Sequence, residues 1–181
     1  MSGATVIAVA SDSAHNFSKH TKPAITLVAG FGVAGDAHAG ETVQHLSDKK
    51  KNPEALNLRQ VHLIHAELFD ELGEQGIKVL PAQMGENIVT RGVDLLSLSE
   101  GTEFHFPSGA AIQITGLRSP CKKLNTIHPD LLKAVVEKRA DGSVNKKTGV
   151  MSIVLTGGEI CEGDTIKVVA PEGEQKALEC V

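Results

Sequence analysis

Short β-branched stretches in which apolar and polar residues alternate dominate this chain, and only two segments repeat at helical spacing. The alternation predicts strands over Ala4–Ala10, Ala24–Ala29, Gln60–Ile64, Asn87–Thr90, Glu103–Phe106, Ala111–Gly116, Met151–Thr156 and Asp164–Val169. Pro107-Ser108-Gly109, Gly157-Gly158 and Glu162-Gly163-Asp164 read as turns between the later strands. One helix is predicted over His65–Leu72, where Leu68, Phe69 and Leu72 share a face and Gly73 supplies a stop. Another is predicted over Pro129–Arg139. Proline opens it, Leu131, Leu132, Val135 and Val136 lie on one side, and Lys138 and Arg139 suit its C-terminus. Strands that do not alternate with helices argue against a doubly wound parallel sheet. The expected class is mainly β: a β-barrel or closed sheet with short helical insertions, with residues 1–181 forming one domain.

Composition narrows function more than fold. A net charge of −4, five Phe and no Trp or Tyr disfavour nucleic acid, an anionic membrane and any base-stacking platform as partners. The three cysteines, Cys121, Cys161 and Cys180, form no CxxC, which excludes a zinc ribbon and a thioredoxin-like site. The opening MSGATVIAVASDSAHNF has no basic stretch, and its apolar run is too short for a signal or a membrane span. A cytoplasmic, reducing compartment with free thiols is therefore expected. The one charge run, Asp48-Lys49-Lys50-Lys51 ahead of Asn52-Pro53, reads as a solvated loop.

Gly30–Gly35 spells GFGVAG, the dinucleotide-binding fingerprint on paper. No helix opens after it and no acidic strand end follows about twenty residues on, so that reading fails. Gly35-Asp36-x-His38-Ala39-Gly40 is a better description of the segment. Its backbone N–H groups could form an anion nest, with Asp36 orienting the imidazole of His38. Equally, it could be a tight surface turn that needs its glycines for backbone freedom.

A different chemistry gathers around Cys121. A strand runs into Arg118-Ser119-Pro120, then Cys121, then Lys122-Lys123. Pro120 fixes a turn, and Lys122–Asn125 can begin a short helical turn with Cys121 at its head. Nearby cations and a helix N-terminus both favour a thiolate, which is a nucleophile and a soft metal ligand. A lone cysteine is more often inert packing, but this clustering of cations beside a proline turn favours reactivity. Cys161 sits among acids at a strand-to-turn edge and reads as structural, with a raised pKa. Cys180 is penultimate and reads as mobile and incidental. Arg59 and Gly85-Glu86-Asn87 lie at strand ends, where charged groups can reach a shared rim. His62 and His65, or His38 and His45, match no metal-binding spacing.

Gly32-Val33-x-Gly35-Asp36-x-His38-Ala39-Gly40, Arg59-Gln60-Val61, Gly85-Glu86-Asn87-Ile88, Gly92-Val93-Asp94-Leu95, Thr115-Gly116-x-Arg118-x-Pro120-Cys121-x-x-Leu124 and Gly158-x-Ile160-x-x-Gly163-Asp164 occur in that order. Together they resemble the MOSC domain, named for the C-terminal domain of molybdenum-cofactor sulfurase, from about Val28 to about Val169. The resemblance implies a barrel-like, mostly β fold of the short stand-alone type, with the family's hallmark cysteine at Cys121. It implies that this cysteine carries sulfur or binds molybdenum in a pterin cofactor (molybdopterin). Family members with reductase activity act on N-hydroxylated compounds and take electrons from a separate protein.

On this reading Cys121 is the reactive metal ligand, and Arg118, Lys122 and Lys123 hold the cofactor's phosphate. Gly35 and Gly40 offer backbone N–H groups, and Asp36, His38, Arg59, Glu86 and Asn87 are rim residues that orient the ligand. Three functions follow in order: a molybdenum-cofactor protein that reduces N-hydroxylated compounds with an external electron-transfer partner; a carrier that takes persulfide sulfur from a donor onto Cys121; and a non-catalytic module that binds a small anion.

Overall fold

The structure is a computed structural model and describes residues 3–181. Its strands are β1 (Thr5–Ser11), β2 (His20–Lys22), β3 (Ala24–Val28), β4 (Gly32–Val33), β5 (Val61–His65), β6 (Ile88–Arg91), β7 (Glu103–His105), β8 (Ala111–Leu117), β9 (Val136–Lys138), β10 (Val144–Lys146), β11 (Val150–Thr156), β12 (Gly158–Cys161) and β13 (Lys167–Val169). Three short α-helices, α1 (Leu46–Lys51), α2 (Ala66–Glu74) and α3 (Leu131–Ala134), interrupt them.

Eight strands form one sheet in the order β13-β7-β8-β11-β5-β6-β1-β2. A smaller sheet runs β12-β3-β4, and β9 and β10 form a hairpin. Every pairing is antiparallel except β5 with β6, which α2 joins. Two parallel strands cannot be linked by a tight hairpin, and the helix supplies that crossover. The class is mainly β, as the alternation predicts, but the ladder is open, with β13 and β2 at its edges. Val6 N donates to Asp164 O and Ile166 N to Ala4 O, each at 2.8 Å, and Thr5 and Thr165 form a single bridge. These bonds tie β1 to the segment ahead of β13 without continuing the ladder, so strand pairing alone does not close the expected barrel.

The helices depart from the sequence pattern in three places. First, Asp48–Lys51 is helical, not a loop, although no residue of α1 is buried. Asp48 in the first turn and Lys49–Lys51 in the last both match the helix dipole. Second, α2 runs through Gly73 to Glu74. Its stop is Gly76, which adopts φ 78° and donates to Gly73 O at 3.0 Å. Third, Pro129–Arg139 is not one helix. Only Leu131–Ala134 is helical, and Val136–Lys138 pairs with Val144–Lys146 across a turn at Asp141-Gly142. Gly142 takes φ 85° there, and the β-branched Val135 and Val136 favour extended backbone.

Two cores result. The larger lies between the sheets and buries Leu27, Val33, Leu63, Ile88, Phe104, Ile112 and Val150. The smaller packs Leu68 and Leu72 of α2 against Leu124, Leu131, Val135 and Met84. Residue 149 must be glycine: a Cβ there would sit 1.9 Å from Leu63 O, and the backbone takes φ 79°. Among the described residues no helix is long and apolar enough to cross a membrane.

Candidate functional site

β8 delivers Cys121. The strand ends at Leu117, whose N–H donates to Glu179 O at 2.7 Å from the C-terminal tail. Arg118 N then donates to Gly149 O at 2.9 Å, and Thr148 Oγ1 donates to Arg118 O at 2.7 Å. Beyond Pro120, residues Lys122–Thr126 wind into a 3₁₀ turn anchored by buried Leu124. Cys121 occupies the N-cap of that turn, as the sequence suggests, and its side chain makes no capping bond. The thiol therefore stands on a segment fixed at both ends without being used to fix it.

Arg118 is a charged neighbour of the thiol. Burial pulls the Arg118 guanidinium down and the charge of Arg59 adds to this, while the adjacent sulfur of Cys121 and, more weakly, the Asp48 carboxylate oppose both. The guanidinium also donates to Ser119 O. Among the described residues no carboxylate forms an ion pair with Arg118, Lys122 or Lys123.

The facing wall is saturated. Asp36 Oδ2 accepts from Lys19 Nζ at 2.6 Å, Asn87 Nδ2 at 3.1 Å and Asp12 N at 3.2 Å. Asp36 Oδ1 accepts from His38 N at 2.9 Å. Burial pushes the Asp36 carboxyl up, but hydrogen bonds from His38 and the Lys19 ammonium outweigh it and hold the group well below the usual carboxylate range. Asn87 is pinned from both ends: Nδ2 also donates to Ala10 O, and Oδ1 accepts from His62 N, each at 3.1 Å. Glu86 lies deeper and is fully buried. Its Oε1 accepts from Ala82 N at 2.5 Å, while Oε2 has no partner, and burial pushes the carboxyl up to about 7. That bond holds Ala82, the one non-glycine residue among those described with positive φ, and Ala82 O in turn fixes Lys19 N at 2.8 Å.

A third wall runs from His38 through α1 to Arg59. Asn57 Nδ2 bridges His38 O and Gly40 O at 3.0 and 2.9 Å. Arg59 binds Asp48 Oδ2 at 3.0 Å, and its Nε is buried without a partner. The rings of His15, His38 and His45 cluster there, with centroids 5.3 and 6.2 Å apart. Burial, then Arg59 and Arg118, push His45 down to about 4. At the floor, His62 Nε2 donates to Thr148 O at 2.7 Å, which fixes its tautomer. Burial and the charge of Arg118 push His62 down to about 3, so it is neutral.

Together the walls enclose a cleft of about 410 Å³. Of the residues singled out from sequence, Cys121, Arg118, Lys122, Lys123, His38, Arg59 and Asn87 line it. Asp36 and Glu86 are buried behind the lining rather than set on its rim. Gly35 and Gly40 shape the loop, and Gly40 has no free N–H to offer. The N–H groups of Asp36, Ala37, His38, Ala39 and Gly40 are already donated to Val33 O, Asp12 O, Asp36 Oδ1, Asp36 O and Phe31 O. Among the described residues no group of three or more His, Cys, Asp or Glu side chains is placed to hold a metal ion. Cys161 is pushed up by burial and by Glu159 and Asp164. Cys180 is held rather than loose: it bridges to Leu117, and Lys146 Nζ reaches its Sγ at 3.2 Å.

Sequence reasoning missed Lys19 and Asn57, and weighed His62 and His45 only as metal ligands. Lys19 sits in a polar loop with no local motif, and only its burial at 8% exposure sets it apart. His62 carried a usable signal, since a polar residue within the apolar run VHLI must find a partner once that strand is buried.

The MOSC domain model matches residues 34–167. YuaD of Bacillus subtilis (strain 168), whose name supposes a role in metal-sulfur cluster biosynthesis, is 31% identical over 149 residues, 76% of each chain. The crystal structure of Bacillus subtilis YuaD superposes with a TM-score of 0.76 at 27% identity, covering 94% of this chain and 98% of that one. YiiM of Geobacillus stearothermophilus shares the fold, with a TM-score of 0.63 at 18% identity over 92% of this chain and 75% of its own. The ordered motifs, the open mainly β sheet that delivers Cys121, and these likenesses agree: the chain belongs to the MOSC domain family.

Proposed function

We propose that the cleft binds molybdenum cofactor, with Cys121 as a ligand to the metal, and that the protein reduces N-hydroxylated compounds with electrons from a separate partner. One observation carries this reading. The Cys121 thiol stands beside Arg118 in a cleft whose Cys121 wall holds Arg118, Lys122 and Lys123 without an ion-pair partner among the described residues. The donor set suits the group. A thiolate is the soft ligand an oxidised molybdenum centre takes, and Arg118, Lys122 and Lys123 suit the pterin's phosphate. Arg59 Nε, buried and unpartnered, leaves a donor to be satisfied nearby. When bound, the cofactor supplies two-electron redox chemistry at the metal.

The chain's own residues bind, orient and exclude. Asp36, anchored by Lys19 and Asn87, sets the backbone of His38 at the lining. His62 and His45 stay neutral at physiological pH and leave the anion-binding charge to the arginines and lysines. Overall, the N–O bond of the hydroxylamine-type substrate breaks, two electrons and two protons enter, and the amine and water leave. Molybdenum analysis of protein from a cofactor-producing host tests the reading. A near-stoichiometric content that is lost in Cys121→Ala supports it, and an equal content in both proteins contradicts it.

A second reading keeps the same cysteine and is favoured by YuaD's name. Cys121 thiolate takes the sulfane sulfur of a donor's persulfide, the donor leaves as its thiolate, and Arg118 stabilises the new persulfide anion. Cyanide-releasable sulfur on molybdenum-free protein is its expected mark.

A further inference from the structure

Beyond the lysines assigned to the cofactor's phosphate, the mouth of the cleft carries further positive charge on α1. Lys49, Lys50 and Lys51 of α1 are exposed, as are Lys122 and Lys123 across the opening, and among the described residues none forms an ion pair. Leu46 and Ser47 line the cleft, and Lys50 and Lys51 stand one helical turn beyond them on the same face. Leu46 itself is 57% exposed, an apolar spot inside a basic collar. The whole chain bears −4, so this collar runs against its overall sign. A patch opposite in sign to its own protein selects a partner by local complementarity rather than by long-range attraction. Nucleic acid fits poorly. Phe17 is the only phenylalanine in the lining and is half-buried, which leaves no stacking surface.

We infer that the collar formed by Lys49–Lys51 and Leu46 is the docking surface for a small acidic electron-carrier protein. The inference rests on the reductase reading and deepens it. Docking places the carrier's redox centre over the cleft; two successive encounters each oxidise one carrier by one electron, and the two electrons with two protons from solvent cleave the substrate's N–O bond to amine and water. Redox encounters use small, charge-steered interfaces, and an exposed run of lysines suits that kind of contact.

Calorimetric titration of the full chain with a plant-type ferredoxin, an acidic iron–sulfur protein, tests it at low and high salt. Wild type and Cys121→Ala are expected to bind alike, and salt is expected to weaken both. The triple variant Lys49→Glu, Lys50→Glu, Lys51→Glu is expected to lose about tenfold or more in affinity. The neutral triple with Gln, which removes charge without repulsion, is expected to lose about threefold. Lys138→Glu with Lys167→Glu, on β9 and β13 and away from the collar, is expected to change nothing. Absence of binding, full affinity in the charge-reversed triple, or tighter binding of single-stranded RNA at the same salt would overturn the inference. Molybdenum content is read on the same samples. Metal present without collar-dependent binding sinks the docking surface alone, and collar-dependent binding by a wild type that itself carries no molybdenum sinks the reductase reading alone.

Discussion

Lys19 and Arg118 both face one cleft, and they are held in opposite ways. Lys19 is buried against Asp36 at 2.6 Å, and Asp36 is itself shared among Asn87, Asp12 and His38. Arg118 has a neighbouring cation in Arg59, a thiol in Cys121, and no ion-paired carboxylate, with Asp48 acting on it only through weaker charge attraction. The first wall has neutralised its charge internally, and its role is to set the shape of the lining. The second wall keeps its cations without an ion-pair partner beside a sulfur, which is the property the proposed binding uses. A protein tolerates an unpaired, largely desolvated guanidinium at a cost, and a site that receives an anion is where that cost is offset.

This contrast makes the walls separable by mutation. Asp36→Ala is expected to have the largest effect, about 3–5 kcal/mol of stability, because it strands the buried Lys19 ammonium. Chemical denaturation measures it, and a change below about 1 kcal/mol would show that the network is not structural. Because the Asp36 carboxyl is depressed in the folded state, its contribution is present above the ordinary value of 3.8 and is lost as pH falls below it. Arg118→Ala is expected to leave stability nearly intact and to weaken binding of the phosphate-bearing pterin by about 10–100-fold, the worth of a charge-assisted hydrogen bond. Equal loss of stability and binding would erase the distinction between the walls. The smallest effect belongs to Glu86. Its folded value is raised from 4.5 to about 7, so wild-type stability is complete below 4.5 and falls as pH rises toward 7. Glu86→Gln is expected to flatten that slope, on the order of 1–2 kcal/mol, in denaturation curves taken across this range.

Much of the strand pattern is legible in the sequence, because an alternating β-branched run can bury only one way. The run Ala111–Gly116 becomes β8 at Ala111–Leu117, and Met151–Thr156 becomes β11 at Val150–Thr156. The segment over Val136–Lys138 was not legible as a strand. Its apolar spacing suits a helix, and only the distant Asp141-Gly142 turn and its partner strand decide otherwise. The same asymmetry holds at the site. Cys121 with Arg118, Lys122 and Lys123 is contiguous, so its chemistry shows in the sequence. The opposing wall joins Lys19, Asp36 and Asn87 from three separate segments, and only the tertiary fold brings them together. The anion nest expected at Gly35–Gly40 is largely spent for a related reason: the N–H groups of residues 36–40 are consumed by the loop's own folding.

The central claim is that Cys121 is a ligand set against unpaired cations, and molybdenum K-edge absorption tests it most directly. Metal-loaded wild type and Cys121→Ser are compared, since serine keeps the position and replaces only the sulfur. The account predicts that one molybdenum–sulfur scatterer present in the wild type is missing in the variant. Identical sulfur scattering in the two proteins would contradict it.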